Sequence, residues 1–217
     1  MSEAYYVIAS STLLIYLVFY VKKYIQTSYL YFCLYLFFML SLDLTAYFVY
    51  DDGAGRDNLH IYNLLTFLEF NMLFLFYKQI SKDALTKKVI KYVSYLFNTI
   101  YIMSALYYAY YLSFWSTYNS VAAISGSILM AIVLFLFYRE MLLSDKVLNF
   151  KKEHSFWITL GLLVYYLGTS PVTSLLNYLK EKSIITLDDF TVIQFCMVTF
   201  MQACFIFGIL WSYKKAK

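Results

Sequence analysis

Long apolar runs alternate with short polar connections along the whole chain. Seven runs stand out, and each is close to the ~20 residues that an α-helix needs to cross a bilayer core. Only six glycines and one proline interrupt the sequence, and the runs are longer than a buried strand requires. The pattern predicts seven helices, which cover residues 5–21, 28–50, 59–77, 89–111, 119–138, 156–179 and 190–213.

The composition supports a membrane protein. The 217 residues are 62% hydrophobic and 14% charged, whereas soluble domains carry about 25% charged residues. The longest connection, from Arg139 to Ser155, is too short to fold a core of its own, and short connections make sequential helices antiparallel neighbours. We therefore predict an all-α membrane protein in which residues 1–217 form a single domain, a bundle of seven transmembrane helices.

The basic residues lie mostly on one side of these spans. If the connections alternate across the membrane, fourteen lysines and arginines share one side and three share the other. The larger set is Lys22, Lys23, Lys78, Lys82, Lys87, Lys88, Lys91, Arg139, Lys146, Lys151, Lys152, Lys214, Lys215 and Lys217. The smaller set is Arg56, Lys180 and Lys182. The positive-inside rule then predicts an outside N-terminus, a cytoplasmic C-terminus and a multi-pass location in the inner (cytoplasmic) membrane.

The uneven distribution of basic residues also indicates which partners to expect. A basic inner face is expected to contact the anionic headgroups of the lipid bilayer, and it gives no reason to expect a nucleic acid. In the inner connection 139–155, apolar residues alternate with charges as in a helix lying on the membrane surface. We expect this segment to be the docking face for a cytoplasmic or membrane protein partner. The oligomeric state stays open.

Small residues form two stripes on the fifth span. One stripe contains Ala123, Ser127 and Ala131, and the stripe beside it contains Ala122 and Gly126. Small residues let helix backbones approach closely in lipid. The stripes predict a tight contact for this helix within the bundle, or alternatively the seam of a homodimer.

Two carboxylates fall inside predicted spans. Asp43 lies about 10 Å below the outer end of span two, and Glu69 lies near the middle of span three. Ionisable groups at membrane depth are costly, so each is a functional hypothesis by default. Their pKa values would rise on burial, and either group could then titrate on binding or conformational change.

Span three is the most polar of the seven. One stripe contains His60, Asn63 and Asn71, whereas Thr66 and Glu69 point to the opposite side. A helix that is polar on two sides is expected to have protein neighbours all around. These residues could line a ligand site or could simply hydrogen-bond neighbouring helices, and His60 is near enough to the outer interface to be solvated.

Spans six and seven add further polar groups. Pro171 cannot donate to the carbonyl of Leu167, so span six is expected to kink there and to form a hinge or a pocket wall, unless the proline is purely structural. The polar and hinge residues of these two spans are Tyr165, Gly168, Thr169, Pro171, Gln194 and Gln202.

The histidines, cysteines and motifs of the sequence give little support for catalysis. His60 and His154 lie at opposite ends of the bundle and cannot share a metal, and no nucleotide-binding, zinc-hydrolase or serine-hydrolase motif occurs. The three cysteines fall inside spans, where thiols act as small apolar groups. We expect no metal and no cofactor, and we favour a protein that is not an enzyme.

Topology allows comparison with known seven-helix families. The last span, from Thr191 to Tyr213, has no lysine for a retinal Schiff base, and the chain has no PQ dipeptide of the small sugar and cystine carriers. The whole chain resembles, in topology, the seven-helix membrane regions of bacterial sensor proteins. The segments His60–Phe70 and Phe156–Gly168 also look like spans of uncharacterised bacterial seven-helix integral membrane proteins.

The resemblance implies a bundle that senses a ligand or the state of the membrane and signals through a separate partner. Two alternatives stay open: a small-molecule or proton-coupled transporter with Glu69 as the titrating group, and a structural or assembly partner of another membrane protein. The residues expected at a binding site are Asp43, His60, Asn63, Glu69, Asn71, Tyr165, Thr169, Gln194 and Gln202, with Gly168 and Pro171 as the hinge.

Overall fold

A computed structural model describes most of the chain. The described residues are 2–22, 24–51, 59–112, 115, 117–143, 153–181 and 187–216. Side chains are described throughout these ranges except at 2–3, 49–51, 170–181, 187–191 and 213–216.

The described residues form seven α-helices and no strand. The helices are α1 (Ser2–Val21), α2 (Leu30–Asp51), α3 (Leu59–Ile80), α4 (Ala84–Tyr111), α5 (Ser120–Leu142), α6 (His154–Glu181) and α7 (Leu187–Ala216). A 3-10 turn, Thr27–Tyr29, leads into α2. Each helix covers one of the predicted runs, so the apolar pattern correctly predicted the all-helical fold of this part of the chain.

One boundary differs clearly from the apolar pattern, because α4 begins five residues before the run at Val89. Asp83 is the reason: its carboxylate accepts hydrogen bonds from the backbone N–H groups of Leu85 (3.3 Å) and Thr86 (3.0 Å). This N-cap satisfies donors that would otherwise lack partners at the start of a helix. The first turn and a half of α4 is therefore helical although it carries Lys87 and Lys88 rather than apolar residues.

Six of the described helices are long and apolar enough to cross a membrane. Their spanning segments are Ala4–Val21, Thr27–Phe48, Leu59–Ile80, Ala84–Tyr111, Ser120–Leu142 and Val192–Ser212. For α6, the described side chains end at Thr169, so this finding does not extend to it. The architecture is that of a polytopic helical membrane protein.

Contacts divide the chain into two compact units, and the single-domain organisation stays a prediction. The first unit contains Met1–Ile25 and Met130–Lys217, and the second contains Gln26–Leu129.

In the second unit, α3 is the central helix. It packs against the 3-10 turn, α2 and α4, and the Phe70 ring lies against Gly126 of α5. Aromatic rings fill the contacts, with Tyr29 and Phe76 5.3 Å apart and Phe70 and Phe97 5.1 Å apart between centroids. Span three is expected from its sequence to have protein neighbours all around. Helix α3 has them on several sides, but Leu64 and Leu75 are exposed, so the neighbours do not surround it completely.

One of the two small-residue stripes of α5 packs against α3 at Gly126. Ala122 and Gly126 are buried, and a Cβ atom at Gly126 would overlap the Phe70 ring. In the neighbouring stripe Ala123 and Ser127 are half-buried, whereas Ala131 is buried. The Ala122–Gly126 stripe therefore packs inside this unit, against the Phe70 ring, whereas the close approach of helix backbones and the homodimer seam stay predictions.

The first unit contains an antiparallel pair of helices, α6 and α7. Gly161 lies against Cys204, and Gly208 lies against Trp157, so the partner number falls as the chain advances. The hydroxyl of Tyr16 on α1 donates to the backbone oxygen of Phe205 over 3.2 Å. Helix α6 continues through Pro171, whose side chain lies outside those described, and the predicted kink there stays a prediction.

Candidate functional site

Asn63 on α3 is a buried polar side chain that hydrogen-bonds the connection before α5. It is completely buried, its Nδ2 donates to the backbone oxygen of Thr117 over 3.0 Å, and its Oδ1 accepts from the N–H of Asn119 over 2.8 Å. Its own backbone oxygen accepts a bond from the Tyr101 hydroxyl over 3.0 Å. Hydrogen bonds of this one asparagine therefore connect α3 both to the chain segment before α5 and to α4.

Asn119 completes this arrangement from the other side. It is also completely buried, and its Oδ1 accepts from the N–H of Ala122 over 3.1 Å, which makes it the N-cap of α5. Its Nδ2 donates to Ser104 Oγ on α4 over 2.8 Å. We call the group Asn63, Tyr101, Ser104, Thr117 and Asn119 the α3–α5 clamp.

Glu69 belongs to a neighbouring polar group rather than to the clamp. The hydroxyl of Tyr118 hydrogen-bonds the side chain of Thr66, and the charge of Glu69 acts on that hydroxyl. Burial raises the pKa of Tyr118, the bond with Thr66 lowers it, and the Glu69 charge raises it further. Tyr118 therefore links the end of the α4–α5 connection to the half-buried acidic side of α3. We call Thr66, Glu69 and Tyr118 the acidic group.

His60 lies in the first turn of the same helix, beside an aromatic ring. Its imidazole centroid is 5.6 Å from the ring of Trp115, and the side chain is half-buried. The histidine that the sequence allows to be solvated is thus partly enclosed, and Trp115 belongs to the α4–α5 connection that also carries Thr117 and Tyr118.

The remaining predicted residues of this unit lie elsewhere on α2 and α3. Asn71 pairs with Asn98 of α4, and four residues before Asn71 the ring of Phe67 lies 4.9 Å from that of the clamp residue Tyr101, measured between centroids. Asp43 lies on α2 and is half-buried. The structure therefore groups Asn63 with the clamp and Glu69 with Tyr118, whereas Asn71 pairs with Asn98.

In the first unit, the predicted residues lie on α6 and α7. The hydroxyl of Thr169 donates to the backbone oxygen of Tyr165 over 2.7 Å, a bond within the helix. Gly168 faces Met197, and a Cβ atom there would lie 3.0 Å from the Met197 sulfur. The helical backbone at Pro171 is described without its side chain, and the grouping of these residues with those of the second unit stays a prediction.

The two glutamines of α7 differ in burial. Gln194 is half-buried, whereas Gln202 is 5% exposed and its Oε1 is a buried oxygen without a hydrogen-bond partner among the described residues. Gln202 shares a helix face with Phe205, the residue whose backbone oxygen receives the Tyr16 hydroxyl. Its side chain is therefore part of the packed interior of this unit.

Metal ligation finds no support in the described part of the chain. No three histidine, cysteine, aspartate or glutamate side chains gather there into a group that could hold a metal ion. His154 begins α6, and burial lowers its pKa from 6.5 to about 4. Burial thus favours the neutral imidazole, with the charge of Glu153 opposing the shift in part.

Sequence reasoning missed four members of the clamp, namely Tyr101, Ser104, Thr117 and Asn119, and the tyrosine of the acidic group. Tyr101 and Ser104 lie inside α4, and Asn119 directly precedes α5, and each residue type is ordinary at its position. A local signal existed for Asn119 alone, because an asparagine directly before an apolar run is a typical N-cap. Nothing local pointed to Tyr118, since its contact with α3 depends on how the helices pack.

Comparison with protein-family models, with curated proteins and with solved structures finds no match for this chain. The site must therefore be judged from its geometry. That geometry gives a polytopic helical membrane protein with a hydrogen-bonded clamp and an adjacent acidic group, both centred on α3.

Proposed function

We propose that the protein is a seven-span membrane sensor with its N-terminus outside and its C-terminus in the cytoplasm. In this proposal the acidic group binds a small polar ligand or responds to the state of the membrane. The clamp then transmits the change to α5. The basic inner segment 139–155, of which 144–152 lie outside the described residues, passes the signal to a separate protein partner.

One observation carries the proposal. Tyr118 joins the acidic side of α3, whereas the next residue, Asn119, caps α5 and bonds to Asn63. A ligand that displaces Tyr118 from Thr66 and Glu69 would therefore pull directly on the N-terminus of α5. Two adjacent residues thus couple a polar group to a helix end, as a switch requires.

Charge supports the orientation within the proposal. With α1 to α7 crossing alternately, the fourteen-to-three asymmetry of basic residues would put the clamp toward the outside. Glu69 would lie about 15 Å below Leu59, close to mid-membrane. A ligand would then reach the acidic group from the outer side.

Site-directed cysteine labelling tests the proposal. In a variant without Cys33, Cys196 and Cys204, single cysteines replace Tyr62 and Met72, which flank Glu69 along one side of α3. A charged, membrane-impermeant maleimide is then applied to sealed vesicles of known sidedness. The sensor predicts that position 62 reacts only from outside and that position 72 reacts from neither side.

Two control positions make the result decisive. A cysteine at exposed Lys78 is expected to react only from inside, which reports the orientation independently of the site. A cysteine at exposed Leu64 faces lipid in this proposal and is expected to stay unreactive. Reaction at position 72 from inside together with position 62 from outside would instead establish two-sided access, which transport requires and a sensor does not.

A further inference from the structure

The exposed face of α4 has a different composition at its two ends. At its beginning, Lys87, Lys88 and Lys91 are all exposed. Further along, most exposed side chains are apolar or aromatic, among them Tyr92, Tyr95, Leu96, Ile102, Met103, Leu106 and Tyr107. The helix therefore presents a short cationic end followed by about four turns of apolar surface.

This face lies opposite the surface that α4 uses for packing. The buried positions Thr86, Ile90, Val93, Phe97, Ser104 and Tyr108 recur every three or four residues and so form one stripe. At about 100° per residue, Lys88, Tyr92 and Leu106 lie on the opposite side of the helix. In the described structure α3 contacts the packing side, and the opposite side is solvent-accessible in the second unit.

We propose that this face of α4 binds an anionic phospholipid. Lys87 and Lys88 contact the phosphate, and the acyl chains lie along the apolar residues from Tyr92 to Leu106. We call this surface the α4 lipid face. Lysine ammonium groups at the end of an apolar helix face attract anionic headgroups, and the two parts match the two parts of a phospholipid.

Lys91 strengthens the case for a headgroup at this level. Its Nζ lies 5.7 Å from the centroid of the Tyr95 ring, so the charge is held against the aromatic surface one turn further along α4. Tyrosine is also a residue that prefers the level of the lipid headgroups. A phosphate beside Lys87 and Lys88 would therefore lie within reach of a third positive charge.

A second copy of the chain fits the face less well. In a two-fold symmetric pair with its axis along the membrane normal, each copy would present Lys87, Lys88 and Lys91 to the same residues of its partner. Like charges at one depth would repel each other. The lipid inference depends neither on which side is cytoplasmic nor on signalling, so it stands or falls separately from the proposed sensor.

Native mass spectrometry of the full-length protein tests the inference. The protein is released from neutral detergent micelles that contain dioleoylphosphatidylglycerol or dioleoylphosphatidylcholine, and the retained lipid is counted. We expect preferential retention of phosphatidylglycerol. The K87Q/K88Q variant is expected to retain it more weakly by roughly tenfold or more, and K87R/K88R is expected to retain it as the unaltered protein does.

The matched control removes two exposed basic side chains outside the face, in the variant K22Q/R139Q. K22Q/R139Q is expected to keep phosphatidylglycerol binding. The inference would be overturned if K22Q/R139Q lost as much binding as K87Q/K88Q, or if K87Q/K88Q bound the lipid as fully as the unaltered protein. Unchanged helical circular dichroism and gel-filtration behaviour verify that each variant is folded. Disulfide crosslinking of Y92C copies in bilayers would show a second protein on this face and would also overturn it.

Discussion

The side-chain amides of Asn71 on α3 and Asn98 on α4 hydrogen-bond to each other in both directions. Asn98 Nδ2 donates to Asn71 Oδ1 over 2.9 Å, and Asn71 Nδ2 donates to Asn98 Oδ1 over 3.3 Å. Each Nδ2 also donates over 2.8 Å to the backbone oxygen four residues earlier, at Phe67 or Ser94. Because a shift of either helix by one residue would separate the amides, the pair fixes the register between α3 and α4.

We expect this pair to behave as one energetic unit. Asn71→Ala and Asn98→Ala should each lower the free energy of unfolding by about 1 kcal/mol, in the range measured for polar contacts between membrane helices. The double variant should lose less than the sum, because either single change already breaks both bonds. Equilibrium unfolding in mixed detergent micelles measures all three values.

Thr99→Ala provides the control for this cycle. Thr99 is exposed, and its hydroxyl donates over 3.0 Å to the Tyr95 oxygen within its own helix. Its effect should therefore simply add to that of Asn71→Ala. If the Asn71 and Asn98 changes were also additive, the register role would be refuted.

The apolar pattern was enough to predict every helix of the described chain, because bilayer-length runs have few alternative structures. It was also enough to identify α3 as a central helix, since Asn63 and Glu69 lie on different sides of it. The partners of these residues could not be predicted. Which neighbour meets Asn63 depends on helix packing, and a spacing of 3.6 residues describes one helix at a time.

The clamp illustrates this limit. Asn119 lies 56 residues from Asn63 in the sequence, and the bond between them joins a backbone N–H to a side chain. No local preference links such positions. Pairing of Asn71 with Asn98 likewise requires the α3–α4 register, which residue types alone do not determine.

Removing the cap of α5 should weaken the clamp. Asn119→Ala deletes the acceptor for the Ala122 N–H and the donor to Ser104, so we expect the free energy of unfolding to fall by about 1–2 kcal/mol. Asn119→Asp keeps an acceptor for the cap and should recover part of the loss. Ser104→Ala removes only the α4 contact and should cost less than Asn119→Ala. Chemical unfolding in detergent ranks the three variants, and equal losses in all of them would contradict the capping role.

Tyr118 should respond in opposite directions to changes in its two neighbours. Glu69→Gln removes a negative charge that disfavours the tyrosinate, so the pKa of Tyr118 should fall. Thr66→Val removes a hydrogen bond that favours the tyrosinate, so the same pKa should rise. Ultraviolet absorbance titrations, with the Tyr118→Phe version of each protein subtracted, isolate this residue. Shifts of the same sign in both variants would contradict the acidic group as described.

Two glycines facing the α6–α7 contact should differ in their tolerance of alanine. A Cβ atom at Gly208 would lie 2.5 Å from Trp157 Cβ, close to a backbone that cannot easily move, so we expect Gly208→Ala to destabilise the protein by about 1–3 kcal/mol. A Cβ atom at Gly168 would lie 3.0 Å from the flexible thioether of Met197, and the gain in helix propensity should offset that contact. Thermal unfolding in detergent compares the two, and equal destabilisation would argue against the packing of α6 on α7.

His154 should make the protein less stable in mild acid. Its pKa is about 4 in the folded protein and 6.5 in the unfolded chain, so the unfolded chain binds the proton first as the pH falls. The stability contributed by this group is fully present above about pH 6.5 and is lost as the pH falls through about 4, with a loss of roughly 2 kcal/mol expected by about pH 5. Unfolding free energies measured along this pH range test the effect. Gln does not titrate, so in His154→Gln the unfolding free energy should change less with pH. The control Lys22→Gln alters an exposed side chain and should leave the pH dependence unchanged. If the pH dependence survived in His154→Gln, other groups would have to be its source.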